Sequence, residues 1–307
     1  MRITTPSRIH MTLIDLNASI GRMDGGIGFA LEEPSIVVRA KESDTIETVG
    51  PLKERAEDAA RRVLKALDID SGIRIEIERA YPQHIGLGSG TQVALATGKS
   101  VCKIYGKDLT VRKIARIVGR GGTSGIGIAA FEKGGFILDG GHSTREKKDF
   151  LPSSASKAPP PPALVRYDFP DWKVALVIPK TKEEVAGARE VGIFQKYCPV
   201  SLAEVQKLSH LILMKILPSL LEEDIEAFGN GINRIQEVGF KKIEVGLQPQ
   251  EVRDLMELCR EYSYGAGLSS FGPTIYCLPE KERDLLKVVK GRADVIITKA
   301  NNKGATS

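Results

Sequence analysis

Long apolar runs are missing from this 307-residue chain. The longest, His210 to Leu221, is interrupted by Lys215 and Pro218 and falls short of the ~20 residues that cross a bilayer, so no membrane span is expected. The N-terminus MRITTPSRIHMTLI has no basic cap followed by an unbroken apolar stretch, so neither a secretory signal nor a transit peptide is read there, and the expected location is cytoplasmic. Cysteine is sparse. Cys102, Cys198, Cys259 and Cys277 lie far apart, with no CxxC and no Cys/His ligand spacing, which excludes a disulfide framework and a zinc site from the sequence reading. There is one Trp and no aromatic strand of the RNA-recognition type, so nucleic acid is not an expected partner.

What remains is an ordinary globular composition, 42% apolar and 27% charged, long enough for about two domains at ~150 residues each. The net charge is +5. Residues 1–150 carry 23 basic and 19 acidic side chains, and Lys99 to Arg120 alone holds seven basic residues against Asp108. Lys99, Lys103 and Lys107 are spaced by four, as are Arg112, Arg116 and Arg120, so each set lines one helix face. That pattern suits either a solvated surface or an anion-attracting rim.

The clearest interruption is LPSSASKAPPPP, Leu151 to Pro162, which cannot form a helix or an inner strand. It divides the chain into an expected N-terminal domain, 1–158, and a C-terminal α+β domain, 163–307. Upstream, Leu52 to Leu67 has apolar residues at intervals of three and four, the mark of an amphipathic helix, and Ile73 to Ala80 alternates like a half-buried strand. Further helices are expected at Ser89 to Tyr105 and at Val111 to Val118, the latter capped by Thr110. Gly119 to His142 reads as turns around a short strand, GFILD. Downstream, Trp172 to Pro179 reads as a strand, and Ser201-Leu-Ala-Glu204 as a capping box opening a long helix. A helix from Leu221 to Val238 is expected to break near Gly229 to Gly231, and Pro249 suits the first turn of a helix running to Tyr262. Strands at Pro273 to Leu278 and Asp294 to Thr298 flank a charged helix, Lys281 to Lys290.

The most informative run is PQHIGLGSGT, Pro82 to Thr91, between a strand and an apolar helix. Glycines at 86, 88 and 90 let backbone N–H groups approach an anion, and the helix N-terminus adds partial positive charge. Ser89 and Thr91 add hydroxyls for phosphate oxygens or a bound Mg²⁺. The run is neither a P-loop, since position 93 is Val where that motif needs Gly, nor a dinucleotide fingerprint, since the spacing is GxGxG. A second glycine-serine loop, GAGLSSFGPTIY, spans Gly265 to Tyr276.

Together these two loops and the order of elements around them resemble the GHMP kinase superfamily over nearly the whole chain. Within it, TPSRIHMTLIDLNASIGRMDGGIGFALEEP (Thr5 to Pro34), QHIGLGSGTQ (Gln83 to Gln92) and GRGGTSGIG followed by GGFILDGGH are similar to the β-ribofuranosylaminobenzene 5′-phosphate synthase family. The resemblance implies an α+β fold, with an N-terminal domain like domain 2 of ribosomal protein S5 and a ferredoxin-like C-terminal domain. It also implies decarboxylating phosphoribosyl transfer from phosphoribosyl pyrophosphate to 4-aminobenzoate in tetrahydromethanopterin biosynthesis, with Mg²⁺ as cofactor and a homodimeric assembly. The alternative is an ATP-dependent small-molecule kinase of the same superfamily. Two departures count against it: Gly-Ser-Gly-Thr stands where many such kinases have Gly-Ser-Ser-Ala, and Ser124-Gly125-Ile126-Gly127 carries no acid.

On this reading His84, Gly86, Leu87, Gly88, Ser89, Gly90 and Thr91 bind phosphate, and Ser89 and Thr91 also meet the metal. Arg8, His10 and Asp24 are the catalytic candidates. Arg22, Ser269, Ser270 and Gly272 are candidates for contact with substrate, Arg22 through bidentate pairing with a carboxylate or phosphate. His142, after two glycines, either closes the same pocket or lies on the surface.

Overall fold

The computed structural model describes residues 1–180 and 188–307. The chain opens with a long antiparallel hairpin, β1 (Arg2–Asp15) and β2 (Arg22–Ser43), followed by β3 (Ile46–Val49), α1 (Lys53–Ala66), β4 (Gly72–Arg79), α2 (Ser89–Ile104), α3 (Val111–Ile117), α4 (Ile126–Lys133), β5 (Phe136–Asp139) and β6 (His142–Ser143). After the proline-rich stretch come β7 (Ala163–Tyr167), β8 (Val174–Pro179), α5 (Ala188–Tyr197), α6 (Leu202–Leu211), a π-helical turn (Ile212–Ile216), α7 (Leu217–Leu221) and α8 (Ile225–Ile235). The chain finishes with α9 (Gly239–Gly246), α10 (Gln250–Glu261), β9 (Ser263–Leu268), β10 (Ile275–Pro279), α11 (Glu282–Val289) and β11 (Ala293–Thr298).

The strands form two sheets. The first runs β3-β4-β2-β5-β7, with β1 and β6 also paired to the 22-residue β2; the second is antiparallel, β11-β8-β10-β9. β2 spans so many neighbours because its apolar residues are buried along most of its length: Ile27, Phe29, Leu31, Ile36 and Val38 are all core. Phe29 stacks on Phe169 with ring centroids 4.4 Å apart and meets Tyr276 of β10 edge-on, while Phe169 meets Phe228 of α8. One aromatic cluster therefore ties both sheets together, and such offset and edge-to-face pairs add to the burial of the rings.

The periodicity of Leu52 to Leu67 yields α1, which buries Ala56, Ala59, Ala60, Val63 and Leu64. Thr110 caps α3 by accepting from Lys113 N. Ser201 caps α6 by accepting from Glu204 N, yet the box is not reciprocal, because the Glu204 carboxylate accepts from Gly239 N instead. Two expectations are corrected. Gly119 to His142 contains a helix, α4, as well as turns; Gly127 lets it pack close to α2, since a Cβ there would sit 3.3 Å from Thr91 Cγ2. Nor does the second helical stretch break at Gly229 to Gly231. α8 runs through both glycines, where a side chain would strike the Tyr264 backbone and the Ile216 side chain. These glycines serve helix packing, which outweighs their poor propensity.

LPSSASKAPPPP is pinned to the first sheet. His142 Nε2 pairs with Pro159 O, Arg112 donates to the Pro160 and Pro161 carbonyls, and Gly140 N donates to Pro162 O. The chain then completes that sheet as β7.

Candidate active site

The strand-turn-helix at Pro82 to Thr91 is built from three alternate positive-φ positions, His84 (φ 60°), Gly86 (φ 88°) and Gly88 (φ 83°), which coil the chain into the N-terminus of α2. Gly86 has no alternative: a Cβ there would lie 2.3 Å from Ser269 O. The Ser89 and Gly90 amides at the start of α2 have no acceptor one turn back, as at any helix start, and both residues line the cleft. The late loop lies directly against this one. Ser269 Oγ donates to Gly86 O at 2.8 Å and accepts from His10 N at 3.1 Å, and Ser270 N donates to His10 O at 2.9 Å. Three segments, the outermost two 259 residues apart, thus meet at one seam.

The seam opens into a cleft with two contiguous lobes. The outer one, about 190 Å³, is walled by the Pro82 to Thr91 loop and by three arginines, Arg8, Arg55 and Arg120. The inner one, about 150 Å³, has apolar walls from Leu13, Phe194 and Phe271 and polar groups from His10, Thr123, Ser124 and Glu244. Arg8, Thr91, Glu190, Ser270 and Phe271 line both, so they mark the junction.

Burial sets the electrostatics. The Arg8 guanidinium donates to Gly86 O, and desolvation lowers its pKa to about 10, against an upward pull from Tyr81. Arg120 is lowered to about 10 as well, first by burial and then by Arg55, and its Nε has no hydrogen-bond partner among the described residues. His10 is held neutral: burial, then Arg8, then Lys241 push its pKa well below the usual histidine range. Its Nδ1 is buried without a partner among the described residues. Burial raises Glu190 to about 7, against a hydrogen bond from Ser154 and with a further push from Glu244.

Of the expected site residues, Arg8, His10, His84, Gly86, Gly88, Ser89, Gly90, Thr91, Ser270 and Gly272 come together around the cleft. Leu87 turns its side chain into the core and its carbonyl to Arg8 N and the Tyr81 hydroxyl. Ser269 is fully buried beneath the seam. Arg22 lies away from the lobes and donates to the Gly140 and Gly141 carbonyls. Asp24 is 1% exposed, bonded to His142 Nδ1 at 2.6 Å and to Lys147 Nζ at 2.9 Å. Lys147 in turn bonds Thr123, so Asp24 stands behind the inner wall, and His142 is buried in that network. Arg112 and Arg116 are exposed, whereas Arg120 reaches the cleft.

Arg55, Ser154, Glu190, Phe194, Glu244 and Phe271 were not expected at the site. Glu190, Phe194 and Glu244 sit on unremarkable amphipathic helices, Arg55 on the first turn of α1, and Ser154 in the proline-rich stretch; no local pattern marks them. Among the described residues no three His, Cys, Asp or Glu side chains gather as a metal cage, and no helix is long and apolar enough to cross a membrane.

Residues 54–135 match the family model for the GHMP kinases N terminal domain and residues 216–292 that for the GHMP kinases C terminal domain. Among solved structures, homoserine kinase from Cytophaga hutchinsonii superimposes with a TM-score of 0.71 at 17% identity, covering 100% of this chain and 96% of that one. The mevalonate kinase of Methanococcus jannaschii gives 0.69 at 18% identity, covering 98% of each. At these identities the likeness concerns the fold. Sequence relatives are much nearer: a β-ribofuranosylphenol 5′-phosphate synthase of Archaeoglobus fulgidus is 50% identical over 314 residues, covering 99% of this chain and 98% of its own. One of the same name from Methanothermobacter thermautotrophicus is 48% identical, with 99% and 97% covered.

Proposed function

Because the chain belongs to the β-ribofuranosylphenol 5′-phosphate synthase family within the GHMP kinase superfamily, we propose that it is a pentosyltransferase joining a ribose 5′-phosphate to an aromatic ring. The donor is phosphoribosyl pyrophosphate, the acceptor a benzoate with an electron-donating para substituent, and the products are the C-riboside phosphate, CO₂ and pyrophosphate. The observation that carries this reading is the two-lobed cleft, with an anion lobe of loop amides and three guanidiniums opening into a lobe with aromatic walls. A donor with phosphate at one end and diphosphate at the other needs the first, and a benzoate ring the second.

The chemistry asks for little covalent participation by the protein. As the anomeric carbon loses pyrophosphate it gains oxocarbenium character and the leaving group gains charge, which Arg8, Arg55, Arg120 and the amides at the start of α2 are placed to neutralise. The ring carbon bearing the carboxylate attacks from the opposite face, giving inversion, and loss of CO₂ restores aromaticity. Phe194, Phe271 and Leu13 hold the ring against the junction and keep water from intercepting the ribosyl cation. The Ser89 and Thr91 hydroxyls would hold a Mg²⁺, which would supply positive charge to the diphosphate leaving group. A homodimer is part of the same proposal.

The relatives are named for a ribofuranosylphenol, whereas the resemblance read from the sequence implied an aminobenzene. Either substituent pushes electrons into the ring, so 4-hydroxybenzoate and 4-aminobenzoate, each labelled in the carboxyl group, are to be compared with phosphoribosyl pyrophosphate and Mg²⁺. Labelled CO₂ that requires both substrates is the expected result. Acceptor-dependent ATP consumption without CO₂ would establish the kinase alternative instead.

A further inference from the structure

Glu244 is an unusual group to find at the wall of an aromatic lobe. It lies on α9, 3% exposed, yet it lines the inner lobe and not the outer one. Its counter-ion is Lys241, fully buried one turn earlier on the same helix. The Lys241 ammonium is itself fixed, donating to Leu268 O at 3.2 Å and Ser270 O at 3.0 Å, so the late loop positions the ion pair. No other side chain or backbone group among the described residues donates to the carboxylate, which leaves it with acceptor capacity facing the cavity. Across the same lobe the buried His10 Nδ1 also lacks a partner. Two buried polar groups with unmet capacity in one small apolar-walled cavity call for a ligand that satisfies them.

Resting on the function proposed above, we infer that Glu244 is a catalytic residue, the base that accepts the proton of the arene's para hydroxyl as the ring attacks the ribosyl carbon. With the reacting carbon at the junction, the para substituent points into the inner lobe, where Glu244 stands and which, of the phosphate-binding groups, only Arg8 and Thr91 reach, at the junction. The O–H bond breaks toward the carboxylate while the C–C bond forms and the C–O bond to pyrophosphate breaks with its electron pair. When CO₂ leaves, the electrons of its bond return to the ring, and the ring oxygen takes the proton back from Glu244. Protons and electrons balance without a further reactant. Burial raises the carboxyl above its ordinary range, with Lys241 pulling against it, and a raised pKa is the direction a proton acceptor needs. The other charged or titratable groups around it are Arg8 and His10 from β1 and Glu190 from α5.

The test compares wild type, Glu244→Gln and the double variant Lys241→Met/Glu244→Met, which removes both buried charges together. Donor binding is measured by calorimetry, and single-turnover CO₂ release with 4-hydroxybenzoate and with a ring-fluorinated 4-hydroxybenzoate already ionised at the assay pH. The expected result is unchanged donor binding in at least one variant, with turnover of 4-hydroxybenzoate lowered by about 10²–10⁴-fold, the usual worth of a general base. With the ionised arene that loss should shrink by about tenfold or more, and the acid limb of the wild-type pH profile should vanish, because no base is needed. The inference is overturned if a variant that binds donor turns over normally, if the loss is equal for both arenes, or if neither variant binds donor, which would make the pair structural. Wild type that releases no CO₂ from any of these benzoates would instead remove the functional reading itself.

Discussion

Glu190 shows how one side chain at the junction couples the cleft to pH. It is placed by the first turn of α5 and held by Ser154 Oγ at 3.2 Å, and burial keeps it protonated up to about pH 7. A raised folded-state pKa means that the native protein binds more protons than the unfolded chain between about 4.5 and about 7, so this group's contribution is intact at low pH and is lost as pH rises through 7. The same sign governs anion binding. Above pH 7 a new negative charge faces the arginine-walled lobe, and on the proposed function donor affinity should fall, by about tenfold for each unit that the anion raises the Glu190 pKa. Calorimetry on both sides of that pH should find proton uptake on donor binding in wild type and none from this source in Glu190→Gln. If both proteins show the same pH dependence, the titration of the donor's own phosphate accounts for it.

The strand-turn-helix formed by β4, Pro82 to Thr91 and α2 is the element on which the site depends, and its fit against the late loop is closer than a hydrogen-bonded contact alone requires. Gly86→Ala brings a Cβ to 2.3 Å from Ser269 O at a φ of 88°. Either the loop or the seam must move, breaking the bonds from Arg8 and Ser269 to the Gly86 carbonyl. The variant should keep the far-ultraviolet circular dichroism of the wild type and lose donor affinity by at least about tenfold, roughly one or two hydrogen bonds to charged or buried partners. Unchanged affinity would mean that the two loops do not act as one element. Gly229 and Gly231 demonstrate the other use of glycine. In sequence they look like helix breakers; in α8 they are contact points with β9 and the π-helical turn, a role that only the neighbouring backbone reveals.

At the scale of the whole molecule the chain repeatedly crosses back on itself. The C-terminal segment returns to the first sheet: Thr4 and Thr306 exchange both backbone hydrogen bonds, Asn301 N donates to Ala30 O, Gly135 N to Asn301 O and Ala305 N to Phe131 O. Removing Asn301–Ser307 should lower stability by several kcal/mol, on the order of 1 kcal/mol per hydrogen bond, seen as a lower midpoint in thermal denaturation. A midpoint equal to wild type would show that the segment only rests on the sheet. Much of this molecule was legible locally. The apolar spacing of α1, the alternation of β4, the glycines that shape the phosphate loop and the caps Thr110 and Ser201 each report their structure within a few residues, because backbone conformation and amphipathic patterning are short-range properties. Part of the candidate site was legible: Arg8 and His10 stood out as polar residues in a core strand, and Pro82 to Thr91 as a glycine-rich turn before a helix. Arg55, Glu190, Phe194 and Glu244 come from amphipathic helices whose periodicity shows which face is buried but not which residue reaches the cleft, and only folding sets Asp24 against His142 and Lys147, behind the inner wall. Short-range patterning is enough to show which segments coil and which helices are capped, whereas which charges share a cavity depends on contacts between residues far apart in the chain.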